Sequence, residues 1–464
     1  MKIQDDNPGV YIMKKILIFG AGRSSYVLIQ YLLQESKRKN YKIIVVDNQV
    51  DLVIRKVNGH PNGEAVSMDI KNDNEREKLV SDADIVISML PANLHLIIAQ
   101  TCLKYTKNLI TASYVTTELE KLNIEVKKAG LIFLNECGLD PGIDHMSAMS
   151  VIDKIRDKGN ILRAFETFTG GLLAPNPDEN PWQYKFTWNP RNVVLAGTGG
   201  VKFLQEGQYK YIPYHKIFRR TEMVHIPGHG YFEGYANRDS LKYMNLYNLE
   251  GIKTLYRGTF RRPGFCRAWD IFVQLGATDD TYQMDKVHQL THKEFINSFL
   301  SYNPYDSVEL KLAHYMNLPY TSPEMFKLRW LGIFDNEKVG LDEGTPAQIL
   351  EHILKKKWTL NENDLDMVVM WHKFEYFEDE KLKVINSYLI STGEDEDRTG
   401  MAKTVGLPLG IAAKLILDKK ISSKGVQIPT IKAFYEPILK ELKLCGIEVS
   451  EENPREIKMP DSNL

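Results

Sequence analysis

The chain has 464 residues, 43% of them hydrophobic and 26% charged, with 59 Lys and Arg against 60 Asp and Glu. That length suits two or three domains with sizeable cores, and the balance is that of a globular chain rather than a disordered one. A net charge of -1 leaves no electrostatic footprint for nucleic acid or an anionic membrane. No stretch approaches eighteen uninterrupted apolar residues, so no membrane span is expected. The four cysteines, Cys102, Cys137, Cys266 and Cys445, are too scattered to suggest a metal site or a disulfide framework. No metal is expected, and a reduced, cytoplasmic setting fits.

Residues 1–13 lack a signal-peptide core and read as a disordered extension, with Met13 as an alternative start. From Lys14 the apolar runs Ile16–Phe19, Ile43–Val46, Ala65–Ser67, Ile85–Leu90, Leu109–Ala112 and Ile132–Leu134 alternate with helix-like stretches. Those stretches include Val27–Gln34, Asn74–Val80, Leu94–Lys104 and Thr117–Lys128. Continuous apolar strands separated by helices predict a doubly wound parallel sheet of Rossmann type over 14–140. Its first turn, Gly20-Ala21-Gly22-Arg23-Ser24-Ser25, has glycines for a tight turn and for close approach to a pyrophosphate. Ser25 replaces the usual third glycine. Asp47, ending the second strand, can accept both ribose hydroxyls and repel a 2′-phosphate, which favours NAD over NADP. Its other reading is the opening of a turn with Asn48, and Arg23 and Arg55 remain within reach of a phosphate.

Beyond Gly138 the texture changes. Residues 160–275, rich in Gly, Arg, aromatic and β-branched residues, predict a mixed or antiparallel sheet with turns at Gly170-Gly171, Asn189-Pro190 and Pro227-Gly228. Helices are expected at Lys286–Tyr302, Ser307–Met316 and Pro346–Lys356, and a strand pair at Met367–Glu375 and Lys383–Ser391. The acidic loop Glu394–Arg398 leads to helices Gly400–Leu417 and Ile431–Leu444. Glu206-Gly207 and the run Gly197 to Gly200 read as loops without an assigned role, and Cys137 as a buried small hydrophobe.

The stretch Asn135-Glu-Cys-Gly-Leu-Asp-Pro-Gly-Ile-Asp-His145 resembles saccharopine dehydrogenases and reductases of the L-glutamate-forming type. The match extends through Ala112-Ser-Tyr-Val115, Tyr184-Lys-Phe-Thr-Trp-Asn-Pro190, Tyr235-Ala-Asn-Arg-Asp-Ser240, Arg257-Gly-Thr259 and Met401-Ala-Lys-Thr-Val-Gly406. The resemblance implies an α/β chain: a dinucleotide domain, an inserted α+β substrate and dimerisation domain at 141–395, and a return at 396–464 packing on the first. It implies a homodimer, with saccharopine as the small-molecule partner. It places Gly20, Ala21, Gly22, Arg23, Val46, Asp47, Asn48, Asp69, Ile70, Leu90, Ala112, Ser113, Leu139, Asp140 and Trp188 at the cofactor. Ser113, Tyr114, Asp140, Arg238, Arg257, Gly258 and Thr259 would meet the substrate.

The implied reaction is hydride transfer from the lysine-side carbon beside the secondary amine, then hydrolysis to glutamate and 2-aminoadipate 6-semialdehyde. Asp140 and Tyr114 are the candidate catalytic proton carriers. Guanidinium forks suit the three carboxylates of saccharopine, so Arg238 and Arg257 are the expected clamps. Arg261, Arg262 and Lys185 stand in reserve, and surface ion pairs are the commoner fate expected for Arg261 and Arg262. Asp144 and His145 are assigned to helix capping and structure. Thr169 stands where related enzymes often carry cysteine. Two other functions fit the fold: a carboxynorspermidine-type dehydrogenase, favoured by an acidic pocket, and a non-catalytic NAD-binding sensor. No lysine–ketoglutarate reductase domain is seen ahead of these blocks, so that activity is expected from another chain.

Overall fold

Alternating Val and Ile runs build the first of two sheets in the computed structural model, which describes residues 13–175 and 180–458. The expected N-terminal extension lies outside the described residues, Met13 excepted. Six strands follow in order: β1 (Lys14–Phe19), β2 (Tyr41–Asp47), β3 (Gly63–Ser67), β4 (Ile85–Ser88), β5 (Asn108–Thr111) and β6 (Ile132–Leu134). The sheet order is β3-β2-β1-β4-β5-β6, every pair parallel, and Gly425–Gln427 adds a seventh parallel strand beside β6. Chain order therefore reverses between β1 and β4, the switch point at which such sheets open a crevice. Ile16, Leu17, Ile18 and Phe19 are fully buried, as strands covered on both faces require. Helices Tyr26–Lys39 and Val50–Val57 end on Asn40 and Asn58 in left-handed conformation, a position Asn tolerates.

The chain divides into two compact units: residues up to Ser150 with Ala402–Ile447, and Val151–Met401 with residues from Glu448 on. The second holds strands β7 (Ile161–Leu173), β8 (Val201–Gln205), β9 (Gln208–Ile212), β10 (Thr221–Ile226), β11 (Gly230–Ala236), β12 (Thr254–Arg261), β13 (Asp366–Glu378) and β14 (Lys381–Thr392). They form a mixed sheet, β10-β11-β12-β7-β13-β14, in which only β12 and β7 of that path run parallel. The expected return of 396–464 is shorter at its end, because Ser450–Glu451 and Arg455–Glu456 pair with β14 instead.

Gly170 and Gly171 lie inside β7 rather than in a turn. A Cβ on Gly170 would stand 2.6 Å from the Phe260 carbonyl oxygen, and one on Gly171 2.6 Å from Thr187 Oγ1. These glycines serve close packing, not reversal. Asn189-Pro190 starts a short helix, with Asn189 capping the amides of Arg191 and Asn192, and Pro227-Gly228 does turn β10 into β11. Helix Gly400–Leu417 is long and apolar enough to cross a membrane by length and composition, and most of it is buried. Its N-terminal amides at Gly400 and Met401 donate to Asp366 at 2.6 and 2.9 Å.

Candidate functional site

Within the first unit, the loops leaving β1, β4, β5 and β6 share the carboxyl edge of the sheet. Gly20 takes φ 101°, and a Cβ there would stand 2.9 Å from the Met89 carbonyl oxygen, so only glycine suits this turn. Nothing lies within 4 Å of a Cβ on Gly22, which leaves the loop open to a ligand. Ser25, in place of the third glycine, is buried and donates from Oγ to the Gly22 carbonyl at 2.9 Å. The buried Lys56 donates to the same carbonyl and, at 3.0 Å, to Ser25 Oγ. The loop is thus held from below by a hydroxyl and an ammonium, an arrangement that fits a pyrophosphate above it.

Asp47 is engaged within this loop. Its Oδ2 accepts from the Ala21 amide at 2.7 Å and its Oδ1 from the Gln49 amide at 3.1 Å. The carboxylate opens the turn, with exposed Asn48 beyond it, and its orientation is set by those amides. Val46 is buried at the strand end, Asp69 caps Lys71 at 2.9 Å, and Ile70 and Leu90 are half-buried. Exposed Arg23 and Arg55 lie on this loop and on helix Val50–Val57.

The loops after β5 and β6 carry the expected reactive groups. Tyr114 donates from its hydroxyl to Asp140 Oδ1 at 3.3 Å, so the two candidate proton carriers are in contact. Beneath them, buried Glu136 accepts from the Val115 amide at 3.1 Å and meets His145 Nε2 at 2.8 Å. Asp144 accepts from the Gly142 amide at 2.6 Å. Asp144 and His145 therefore brace the loop that presents Leu139 and Asp140, and Glu136, which sequence reasoning passed over, ties it to the Tyr114 loop. Ala112 and Ser113 follow directly on β5, and Ser113 Oγ meets His95 Nε2 at 2.7 Å.

The second unit has its own cavity, of about 770 Å³, lined by Trp188, Tyr235, Arg238, Thr259 and Arg261 and bordered by Gly197 to Val201. Arg238 sits in left-handed backbone at φ 52°. Arg257, although on the same strand as Thr259, is buried with its guanidinium 4.0 Å from the Tyr243 ring centre, and Gly258 is filled against Phe168. Neither borders the cavity. Lys185, held in reserve, is committed to a buried ion pair with Asp364 at 2.5 Å. Arg262 lies over the Phe232 ring at 4.5 Å and donates to the His229 carbonyl, and burial lowers its pKa.

Arg261 departs most from expectation. It is 4% exposed and, among the described residues, has no carboxylate partner. It donates to the Phe260 carbonyl at 2.8 Å, while its Nε has no hydrogen-bond partner. Tyr184, Phe265 and Tyr235 surround it at 4.9, 5.2 and 5.7 Å from its guanidinium carbon. Glu233 is its neighbour across the strands but is turned to the Gly264 and Cys266 amides at 3.0 and 3.1 Å. The sequence signal was there, in an arginine two residues beyond Thr259 on a strand, and so on the same face of it.

With Lys202, these two arginines give the cavity three cations against one carboxylate, Asp239, itself paired to Lys202 at 2.8 Å. Such a cavity suits a polyanionic small molecule. Of the residues assigned to the substrate, Arg238 and Thr259 meet here and Ser113, Tyr114 and Asp140 meet in the first unit.

Comparison with known proteins agrees with both halves of this picture. Residues 16–134 match the family model of the saccharopine dehydrogenase NADP binding domain, and residues 138–447 that of the saccharopine dehydrogenase C-terminal domain. The chain is 34% identical over 457 residues to the mitochondrial alpha-aminoadipic semialdehyde synthase of Bos taurus, covering 94% of this chain and 47% of that protein. It spans about half the length of that relative and of its rat and mouse counterparts. It is 31% identical to the saccharopine dehydrogenase [NADP(+), L-glutamate-forming] of Schizosaccharomyces pombe, over 95% of this chain and 99% of that one. The solved apo saccharopine dehydrogenase (L-Glu forming) of Saccharomyces cerevisiae superposes with a TM-score of 0.85 at 28% identity, over 95% and 99% of the two chains. The first unit is a nicotinamide dinucleotide-binding domain, and the chain belongs to the saccharopine dehydrogenase family.

Proposed function

We propose that the chain oxidises saccharopine to L-glutamate and 2-aminoadipate 6-semialdehyde with NADP. The cavity of the second unit carries this reading: three cations face one carboxylate, and the buried Arg261 has no acid of its own among the described residues. A substrate with three carboxylates supplies what such a cavity lacks, whereas a cationic polyamine precursor would meet like charge. That weighs against the carboxynorspermidine-type alternative.

Oxidised nicotinamide, when bound, supplies the two-electron acceptor. The substrate loses a hydride from the lysine-side carbon beside its secondary amine and becomes an imine. Water adds at that carbon, and the C–N bond of the carbinolamine breaks. Tyr114 and Asp140 carry the protons this sequence demands, the phenol donating to Asp140 Oδ1. The Glu136–His145 pair keeps their loops in register.

NADP replaces the NAD preference expected from Asp47. The matched family model is an NADP binding domain, and the names of the fungal relatives carry NADP(+). The Asp47 carboxylate accepts from the Ala21 and Gln49 amides, which accounts for its place at the strand end without a ribose. Exposed Arg23 on the glycine loop and Arg55 on helix Val50–Val57 are the cations assigned to a 2′-phosphate. A homodimer, and a reducing compartment such as the cytoplasm, complete the reading, the latter supported by four free cysteines.

The test is initial-rate kinetics with saccharopine at mildly alkaline pH, with NADP and NAD in parallel. Higher kcat/KM with NADP is expected. A preference for NAD would refute the cofactor assignment. Cofactor binding without reduction would favour the non-catalytic sensor. Sedimentation velocity decides the dimer.

A further inference from the structure

Ser88 closes β4, Ser113 follows β5, and these strands are neighbours in the sheet. His95 opens the helix His95–Lys104 just after β4 and is 2% exposed. Its Nδ1 lies 2.9 Å from Ser88 Oγ and its Nε2 2.7 Å from Ser113 Oγ. Thr111 Oγ1 stands 3.3 Å from the same Nε2 and accepts the Ser113 amide at 3.2 Å. The Ser113 carbonyl accepts from the Glu136 amide at 3.1 Å. The main chain of Ser113 is thus fixed on both sides. Its hydroxyl, half-buried, has His95 as its one side-chain partner among the described residues.

We propose that His95 is a positioning residue that fixes the direction of the Ser113 hydroxyl, and through it the hold on the ligand at the carboxyl edge of the first sheet. The inference rests on the oxidoreductase reading above for the identity of that ligand. Burial lowers the pKa of His95 to about 4, so the ring is neutral at working pH and has one donor and one acceptor nitrogen. One ring nitrogen is anchored on Ser88 and the other meets Ser113, so the serine either gives its proton to Nε2 or accepts one from it. In both cases the hydroxyl is held in one rotamer and offers a ligand one defined group. Without the ring it would turn freely among its staggered positions.

The test compares His95→Asn, His95→Gln, Ser113→Ala and the H95N/S113A double variant. Glutamine places its terminal amide where Nε2 stands and keeps the contact to Ser113, while asparagine reaches only the Nδ1 position. Two readouts are taken: the dissociation constant of NADPH by protein fluorescence, and KM and kcat with saccharopine. H95N is expected to cost about tenfold, the worth of one hydrogen bond to an aligned group, with H95Q recovering most of it. In the S113A background H95N should add less than about twofold. Equal behaviour of the Asn and Gln variants, or losses that simply multiply, would overturn the inference. Should H95N fail to fold, Ser88→Ala releases the other end of the ring, and a smaller loss that vanishes on S113A is expected. A wild type that binds NADPH but never oxidises saccharopine would sink the functional reading alone, and the NADPH series would still decide the role of His95.

Discussion

Two regions of the second unit bury a basic side chain, and they treat it in opposite ways. Lys185, beside the aromatic cluster of Trp182, Tyr184 and Phe186, is closed by Asp364, which also accepts the Asn361 amide at 2.6 Å. Arg261, at the end of β12, has among the described residues rings on three sides and a single carbonyl, and its cross-strand Glu233 is spent on the start of the helix Phe265–Leu275. A buried cation is costly unless compensated. Where the compensating acid belongs to the protein, the pair is architecture. Where none is present and the group borders a cavity, the missing acid is best supplied by the substrate.

The sharpest way to break this contrast is Lys185→Met, which strands a buried carboxylate. It is expected to cost about 3–5 kcal/mol of stability in denaturant unfolding, with KM for saccharopine unchanged in the protein that remains folded. A rise in KM would mean that Lys185 too reads the substrate.

Acid supplies the next largest effect. His95 has a folded-state pKa of about 4, below its usual value of 6.5. The folded state therefore binds fewer protons than the unfolded chain between those values. Its contribution is complete above about pH 6.5 and is lost as pH falls towards 4, by on the order of 3 kcal/mol. Unfolding free energies of wild type and H95Q across this range should converge as pH falls, and parallel curves would contradict the burial argument.

Arg261→Met should do the reverse of Lys185→Met. Removing a guanidinium that lacks an acid among the described residues leaves stability unchanged or raises it by about 1 kcal/mol. KM for saccharopine should rise roughly 30- to 100-fold through the lost charge-assisted bonds. Lower stability with unaltered KM would make Arg261 structural. Asp47→Ala is the mildest change: with its oxygens engaged by two amides, it should shift the NADP to NAD ratio of kcat/KM by less than about threefold. A tenfold shift would restore Asp47 as a cofactor reader.

What was legible in the sequence follows from the range of the interactions concerned. Ile16–Phe19, Ile43–Val46 and Ile85–Leu90 announce buried parallel strands because all but Ser88 in them are apolar, and helix Gly400–Leu417 stands out by length alone. The Gly20 turn is local and was readable. Gly170-Gly171 was misread as a turn because its cause lies in Phe260 and Thr187, far along the chain. Helix Phe265–Leu275 was passed over although its polar Arg267, Asp270 and Gln274 recur at helical spacing, because it ends a Gly-, Arg- and aromatic-rich stretch that reads as sheet. Arg257 and Arg261 look alike in sequence; only the fold shows that Tyr243 covers the first while the second borders the cavity. The Asp47 carboxylate could open a turn or read a ribose, and no local rule decides which.

The most direct test of the account is the identity of the products when purified protein turns over saccharopine with NADP. Glutamate and 2-aminoadipate 6-semialdehyde, formed in step with reduced cofactor, are the predicted outcome. Lysine and 2-oxoglutarate would show that the bond is cut on the other side of the secondary amine and would contradict it.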